Sequence, residues 1–173
     1  MTILFSTGYE ASSLEDFLGT LKVSGISNLI DVRQIAASRR KGFSKNALRT
    51  ALESVEIDYV HLAGLGDPKE GRDAARAGRF DDFLDIFSAH MDTPEFSADL
   101  DKAIQLTRTG NACLLYYERN PKICHRTLIS DKISTLISSE NRHLGVREGI
   151  AKNGGKGRSR TRISARESVA TCG

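Results

Sequence analysis

Four stretches of this chain carry residue types able to do chemistry, and each follows a short apolar run. Gly8-Tyr9-Glu10 comes after Ile3-Leu4-Phe5, and Asp31-Val32-Arg33 leads into the basic loop Ser38-Arg39-Arg40-Lys41-Gly42-Phe43-Ser44-Lys45. His61 precedes Gly64-Leu65-Gly66, and Glu118 precedes Pro121 and Cys124-His125-Arg126. The cations Arg33, Arg39, Lys45 and Arg126 suit phosphate oxygens, which arginine grips through two parallel N–H groups. Ser38, His125 and Tyr9 add neutral hydrogen-bonding groups, and Gly8 permits a sharp turn toward a helix N-terminus, itself an anion-binding feature. Asp31, Glu118 and His61 are acid–base candidates, and Cys124 is the candidate nucleophile.

Each piece also has a plain structural explanation. Asp31 and Arg33 suit an ion pair or a helix cap as well as a reaction, and His61 suits a half-buried histidine. The basic loop has the composition of a solvated charged face. Cys124 stands out by position, because the first turn of a helix and a neighbouring arginine both favour a thiolate. The phosphate loop of cysteine phosphatases needs an arginine six positions after its cysteine. Position 130 is serine, which excludes that class. Cys113 falls inside an apolar run and reads as core, and Cys172 lies near the C-terminus. The three cysteines match neither a disulfide framework nor a zinc pattern, so reduced thiols and no metal are expected.

The elements that must hold these residues alternate in period. Leu14, Phe17, Leu18 and Leu21 have helical spacing after Ile3-Leu4-Phe5, with Ser12 and Glu15 placed as a capping box and Ser6-Thr7-Gly8 as a break. Leu29-Ile30-Asp31-Val32 reads as the second strand. A helix then follows the N-cap candidate Ser44, and Asp58-Tyr59-Val60-His61-Leu62 reads as the third strand. Residues 63–78 read as loop with one short helix. Helices are predicted around Phe80–Phe87 and after Thr93-Pro94, where Thr93 is placed as N-cap. Ala112-Cys113-Leu114-Leu115-Tyr116-Tyr117 reads as a strand covered on both faces. A last helix carries Leu128, Ile129, Ile133, Leu136 and Ile137, and Arg142-His143-Leu144 reads as an edge strand. The whole predicts a single α/β domain over residues 1–144, with a mainly parallel sheet of four to five strands and helices on both faces. In such sheets ligands bind beyond the carboxyl ends of the strands, where all four polar stretches fall.

Composition agrees with one globular domain: 173 residues, 39% hydrophobic and 27% charged. No apolar run is long enough for a membrane span, and the N-terminus lacks the basic opening of a signal peptide, so a cytoplasmic protein is expected. The net charge of +3 conceals an asymmetry. From Arg142 onward there are eight Lys/Arg against two Asp/Glu, so the rest of the chain is slightly acidic. Residues 145–173 are rich in glycine and charge and show no period, which predicts a basic, disordered tail. Neither G-x-G-x-x-G nor G-x-x-x-x-G-K-[ST] occurs, and no cofactor is expected.

Taken in order, the spaced motifs Gly8-Tyr9-Glu10, Asp31-Val32-Arg33 with Ser38-Arg39, Gly42-Phe43-Ser44-Lys45, Leu65-Gly66, and Leu114-Leu115 through Glu118 to Cys124-His125-Arg126 resemble the domain-of-unknown-function 488 family of small bacterial proteins. The resemblance covers roughly the first 144 residues and implies an α/β fold with a shared site, but no reaction. The chain departs from the family's usual pattern at Ala36 (usually proline), Tyr116 (often cysteine) and Asp67 (commonly a second glycine). Two functions follow from the residues. The first is an enzyme acting on a phosphate-bearing substrate, a nucleotide or nucleic acid. The second is a non-catalytic module binding nucleic acid or an acidic partner, with the basic tail adding salt-sensitive affinity.

Overall fold

Ala112-Cys113-Leu114-Leu115-Tyr116 is apolar at every position, which suits a strand sandwiched between two helical layers. In the computed structural model, which describes residues 1–121 and 125–153, it is the middle strand of a five-stranded sheet. The strands are β1 (Ile3–Gly8), β2 (Asn28–Asp31), β3 (Asp58–His61), β4 (Ala112–Tyr116) and β5 (Glu140–Leu144). Their order is β3-β2-β4-β1-β5, and every pairing is parallel. The helices are α1 (Leu14–Val23), α2 (Lys45–Glu53), α3 (Lys69–Arg76), α4 (Phe80–Met91), α5 (Pro94–Thr109), α6 (Arg126–Ile137) and the single turn α7 (Ile150–Asn153). The chain is thus an α/β single domain, with β3 and β5 at the sheet edges.

Strand alternation divides the core in two. Leu29, Cys113 and Leu115 point toward Phe17 and Leu21 of α1 and Leu48 and Leu52 of α2. Ile30, Leu114 and Tyr116 point the other way, toward Phe87 of α4, Leu100 and Ala103 of α5, and Ile129 and Ile133 of α6. The connections leaving β1 and β2 therefore run over one face, and those leaving β3 and β4 over the other. Because β4 lies between β2 and β1, a crevice opens on either side of its carboxyl end. The register aligns Asp31 with Leu115 and His61, and Gly8 with Tyr116, so the residues after each strand share one edge.

Several local expectations are corrected. Ser6-Thr7-Gly8 does not break β1 but completes it. Thr7 Oγ1 donates to the Leu144 carbonyl at 2.8 Å, so the polar side chain is satisfied inside the sheet. Ser13, not Ser12, caps α1, accepting from the Asp16 N–H at 3.2 Å. Ser44 precedes α2 without capping it, because its hydroxyl exchanges bonds with the Ser38 N–H and carbonyl, each at 3.2 Å. Thr93 does cap α5, accepting from the Phe96 N–H at 3.3 Å. The segment 63–78 holds a 3-10 turn (Ala63–Leu65) as well as α3.

The start of the expected tail also packs. Val146 is buried against the α1 layer, and the Arg147 N–H donates to Thr20 Oγ1 at 3.0 Å. The Asp16 carboxylate accepts from the N–H groups of Gly149 (2.9 Å) and Ala151 (3.2 Å), and these bonds hold its carboxyl below the ordinary range. Composition gives no sign of this anchor, because the donors are backbone groups. The rest of the expected tail, from residue 154, lies outside the described residues.

Burying one valine is worth about 1.5 kcal/mol. A chain ending at Leu144 should therefore melt roughly 3–6 °C below one ending at Asn153, read by calorimetry. Equal melting temperatures would show that residues 145–153 add nothing to the fold.

Candidate functional site

A strand-end carboxylate with no solvent exposure must be paired, and Asp31 is paired completely. Arg33 donates from Nε to Oδ1 at 2.8 Å and from Nη2 to Oδ2 at 2.6 Å, and its own N–H reaches Oδ1 at 3.1 Å. The Tyr59 hydroxyl on β3 donates to Oδ2 at 2.6 Å. Arg33 Nη1 donates onward to the Tyr9 hydroxyl (3.0 Å) and the Phe43 carbonyl (2.9 Å). Burial works against the guanidinium charge, but the bonds from Asp31 outweigh it and raise the Arg33 pKa. Burial and donation to Asp31 likewise raise the pKa of Tyr59. His61 Nε2 lies 2.7 Å from the Arg33 carbonyl, which can only accept, so that nitrogen carries the proton. Asp31, Arg33 and His61 thus form a brace joining β2, β3 and the loop after β1.

Above this brace lies a cavity of about 620 Å³ at the carboxyl ends of β1, β2 and β4. Of the residues singled out in the sequence, Tyr9, Arg33, Ser38, Arg39, Glu118 and His125 line it. Asp31, His61, Gly8, Lys45 and Arg126 do not. Lys45 is an exposed residue at the start of α2. Gly8 acts through its lack of a side chain, since a Cβ there would overlap the Glu118 carbonyl. The residue has to be glycine for the segment after β4 to cross β1. Cys124 lies outside the described residues.

Arg126 is reached only from behind. Its side chain is 1% exposed, and it donates from Nη2 to the Glu118 carbonyl. It also sits over the Tyr116 ring and meets His143 Nδ1 at 3.1 Å. Burial and the Arg126 charge push His125 down to about 3 and His143 down to about 4, so both imidazoles are neutral at working pH. The His125 ring packs on Phe87 and Tyr116 at 5.2 and 5.3 Å.

The cavity also holds Arg40 of the basic loop and three cations of α3 that no strand-end motif marks. Arg40, Lys69, Arg72 and Arg76 join Arg39 on its walls, with Asp67 and Asp73 among them. Lys69 and Arg76 share Asp73, at 2.9 and 4.0 Å. Arg72 instead donates from Nη1 to Gln34 Oε1 (2.7 Å) and to the Asp67 carbonyl, and neither it nor Arg39 has an ion-pair partner among the described residues. Asp67 is 7% exposed, and its Oδ1 has no hydrogen-bond partner among the described residues. Burial raises its carboxyl to about 6, with the nearby Glu118 charge adding and Arg72 opposing. The signal available for this region was Gly66-Asp67-Pro68, since a proline before a charged helical stretch marks a helix start. Gly66 packs its backbone directly on Gln34, which closes the segment against the loop after β2.

Among the described residues no cluster of three or more His, Cys, Asp or Glu could hold a metal ion, and no helix is long and apolar enough to cross a membrane. A family model described as "Domain of unknown function DUF488" matches residues 13–133, more than half of the chain. No curated protein and no solved structure matches it.

The brace makes a prediction that separates structure from catalysis. Removing one partner of a buried ion pair costs roughly 3–5 kcal/mol, because the other charge is left uncompensated. Asp31→Ala and Arg33→Met should each lose about that much in urea unfolding, and the double substitution should recover part of the loss. Single substitutions that leave the unfolding midpoint unchanged would free Asp31 for a catalytic role.

Proposed function

The chain belongs to the DUF488 family, and we propose that within it this protein is an enzyme acting on an anionic, phosphate-bearing substrate held in the strand-end cavity. The observation that carries the reading is the pairing, in one cavity, of arginines without an ion-pair partner among the described residues with a buried carboxyl of raised pKa. Arg39 and Arg72 have their charge available for a ligand, and Arg40 holds the loop between them by donating to the Ser12 carbonyl. Two guanidinium groups, one on the loop after β2 and one on α3, suit the oxygens of a phosphate group, which arginine binds in a planar, two-pronged fashion.

Asp67 and Glu118 supply the proton chemistry. Two carboxyl groups in one cavity are a common basis for acid–base chemistry. Asp67 lines the cavity, stays protonated up to about pH 6 and donates a proton to a leaving oxygen. Glu118 accepts one from the attacking group. Neutral His125 supports the wall without adding charge.

The test is turnover across a panel of nucleotides, sugar phosphates and oligonucleotides. Asp67→Asn should lower the rate by about 10²-fold or more and remove an inflection near pH 6, while Arg72→Met should mainly raise KM. Binding of panel members without any turnover, unaffected by Asp67→Asn, would instead support the binding-module reading.

Stability gives an independent check on Asp67. Its folded pKa is raised, so the fold gains nothing from ionisation and loses stability as pH rises from about 4, where the unfolded carboxyl ionises, to about 6. Asp67→Asn should match the parent below pH 4 and exceed it by about 2–3 kcal/mol above pH 7, measured by urea unfolding across pH.

A further inference from the structure

The proposed phosphate site has an apolar edge that phosphate alone does not explain. Ile35 is 64% exposed and Tyr117 46% exposed, yet both line the cavity that holds Arg39 and Arg72. Tyr117 directly follows β4 and Ile35 lies in the loop after its neighbour β2, and both line the cavity at the carboxyl ends of these strands. The other large hydrophobics exposed among the described residues (Met1, Val23, Phe80, Leu84 and Leu136) lie outside this cavity.

Tyr117 is also supported. Its ring meets Tyr9 edge-on, with centroids 5.4 Å apart at 82°. Tyr9 is stacked on Phe43 at 4.4 Å, and its hydroxyl is held by Arg33 at 3.0 Å. An exposed aromatic braced in this way loses little side-chain freedom on binding a flat partner.

We propose, resting on the phosphate-binding reading above, that the substrate is a nucleotide unit. Its base lies on Tyr117 with Ile35 as the second apolar contact, and its phosphate lies on Arg39 and Arg72. A sugar phosphate or inorganic anion has no planar apolar part and leaves Tyr117 and Ile35 facing water. A base has a π-face that stacks on tyrosine whatever its sequence identity. The cavity is open to solvent on this side, so a free nucleotide and a single nucleotide unit of a strand present the same chemistry.

The experiment is calorimetric titration of the full chain with adenosine monophosphate, ribose 5-phosphate, pyrophosphate and a short oligoadenylate. The parent, Tyr117→Ala, Tyr117→Phe and Arg72→Met are compared, each checked for folding by circular dichroism. The monophosphate should bind at least about tenfold tighter than ribose 5-phosphate, stacking being worth on the order of 1–3 kcal/mol per base. Tyr117→Ala should remove that advantage and leave ribose 5-phosphate unchanged, and Tyr117→Phe should restore it. Tighter, salt-sensitive binding of the oligoadenylate assigns the site to a strand, and tighter monophosphate binding assigns it to a free nucleotide.

Equal affinity for monophosphate and ribose 5-phosphate, both weakened by Arg72→Met, would overturn the base contact and leave the phosphate site standing. Failure of all four ligands to bind would overturn both.

Discussion

The Asp31 carboxylate is completely enclosed, and an enclosed carboxylate without partners costs several kcal/mol, so the surrounding chain must bring donors to it. The donors come from three places: the Arg33 guanidinium, the Tyr59 hydroxyl on β3 and the Arg33 backbone N–H. Arg33 then spends its remaining donor on Tyr9 and the Phe43 carbonyl. Satisfying one buried charge thereby fixes the loops after β1 and β2 relative to each other. The stacked Tyr9–Phe43 pair and the Tyr9–Ser38 contact at 3.3 Å follow from the same placement. The cavity wall above the brace is thus tied to the buried ion pair through Arg33.

The opposite wall depends on close backbone approach. The ladder between β1 and β4 continues past both strands, with the Glu10 N–H donating to the Tyr117 carbonyl at 2.9 Å. That continuation brings the Glu118 carbonyl over Gly8, where no side chain fits. Arg126 grips the same carbonyl from the core side. Glu118 is therefore held by its main chain at the cavity wall. Where α1 and α2 cover one face and α6 the other, the crevice beside β4 is the place where loops from both faces meet, and the site lies there for that reason.

The strands and most helices were legible in the sequence because each has an uninterrupted period, β4 above all. What the pattern missed has physical causes. Ser6 and Thr7 have the polarity of a break, but Thr7 is satisfied inside the sheet by the carbonyl of a neighbouring strand. The docking of residues 146–153 was invisible because Asp16 binds backbone N–H groups, which every residue has. The site was half legible. Arg33 and Glu118 stand two residues beyond strand ends, Ser38 and Arg39 lie in the loop after β2, and the strand-end rule brings such segments to one edge. Arg72 lies within a helix far from any strand end and enters the cavity only because Gly66 lets its segment press on Gln34. Asp67 stands where the family resemblance leads to glycine, so no motif could point to it. The brace role of Asp31 and His61 depends on donors from other strands, which sequence spacing does not reveal.

The electrostatics of the cavity follow from one more buried charge. Arg126 has no carboxylate at ion-pair distance among the described residues and is held by a carbonyl, an aromatic face and an imidazole nitrogen. All three are acceptors of positive charge that carry none of their own. Its field therefore stays uncancelled nearby, and together with burial it keeps His125 and His143 neutral. The histidines cannot act as switchable cations near pH 7, and the positive charge facing the cavity belongs to arginine and lysine, which do not titrate there. Asp67 responds to the same surroundings in the opposite sense. Arg72 favours its ionisation, but burial without a donor to Oδ1 outweighs that attraction, and its protonation changes near pH 6. Ionisation of Asp67 then adds a negative charge beside Arg72, so the cavity is most positive below about pH 6.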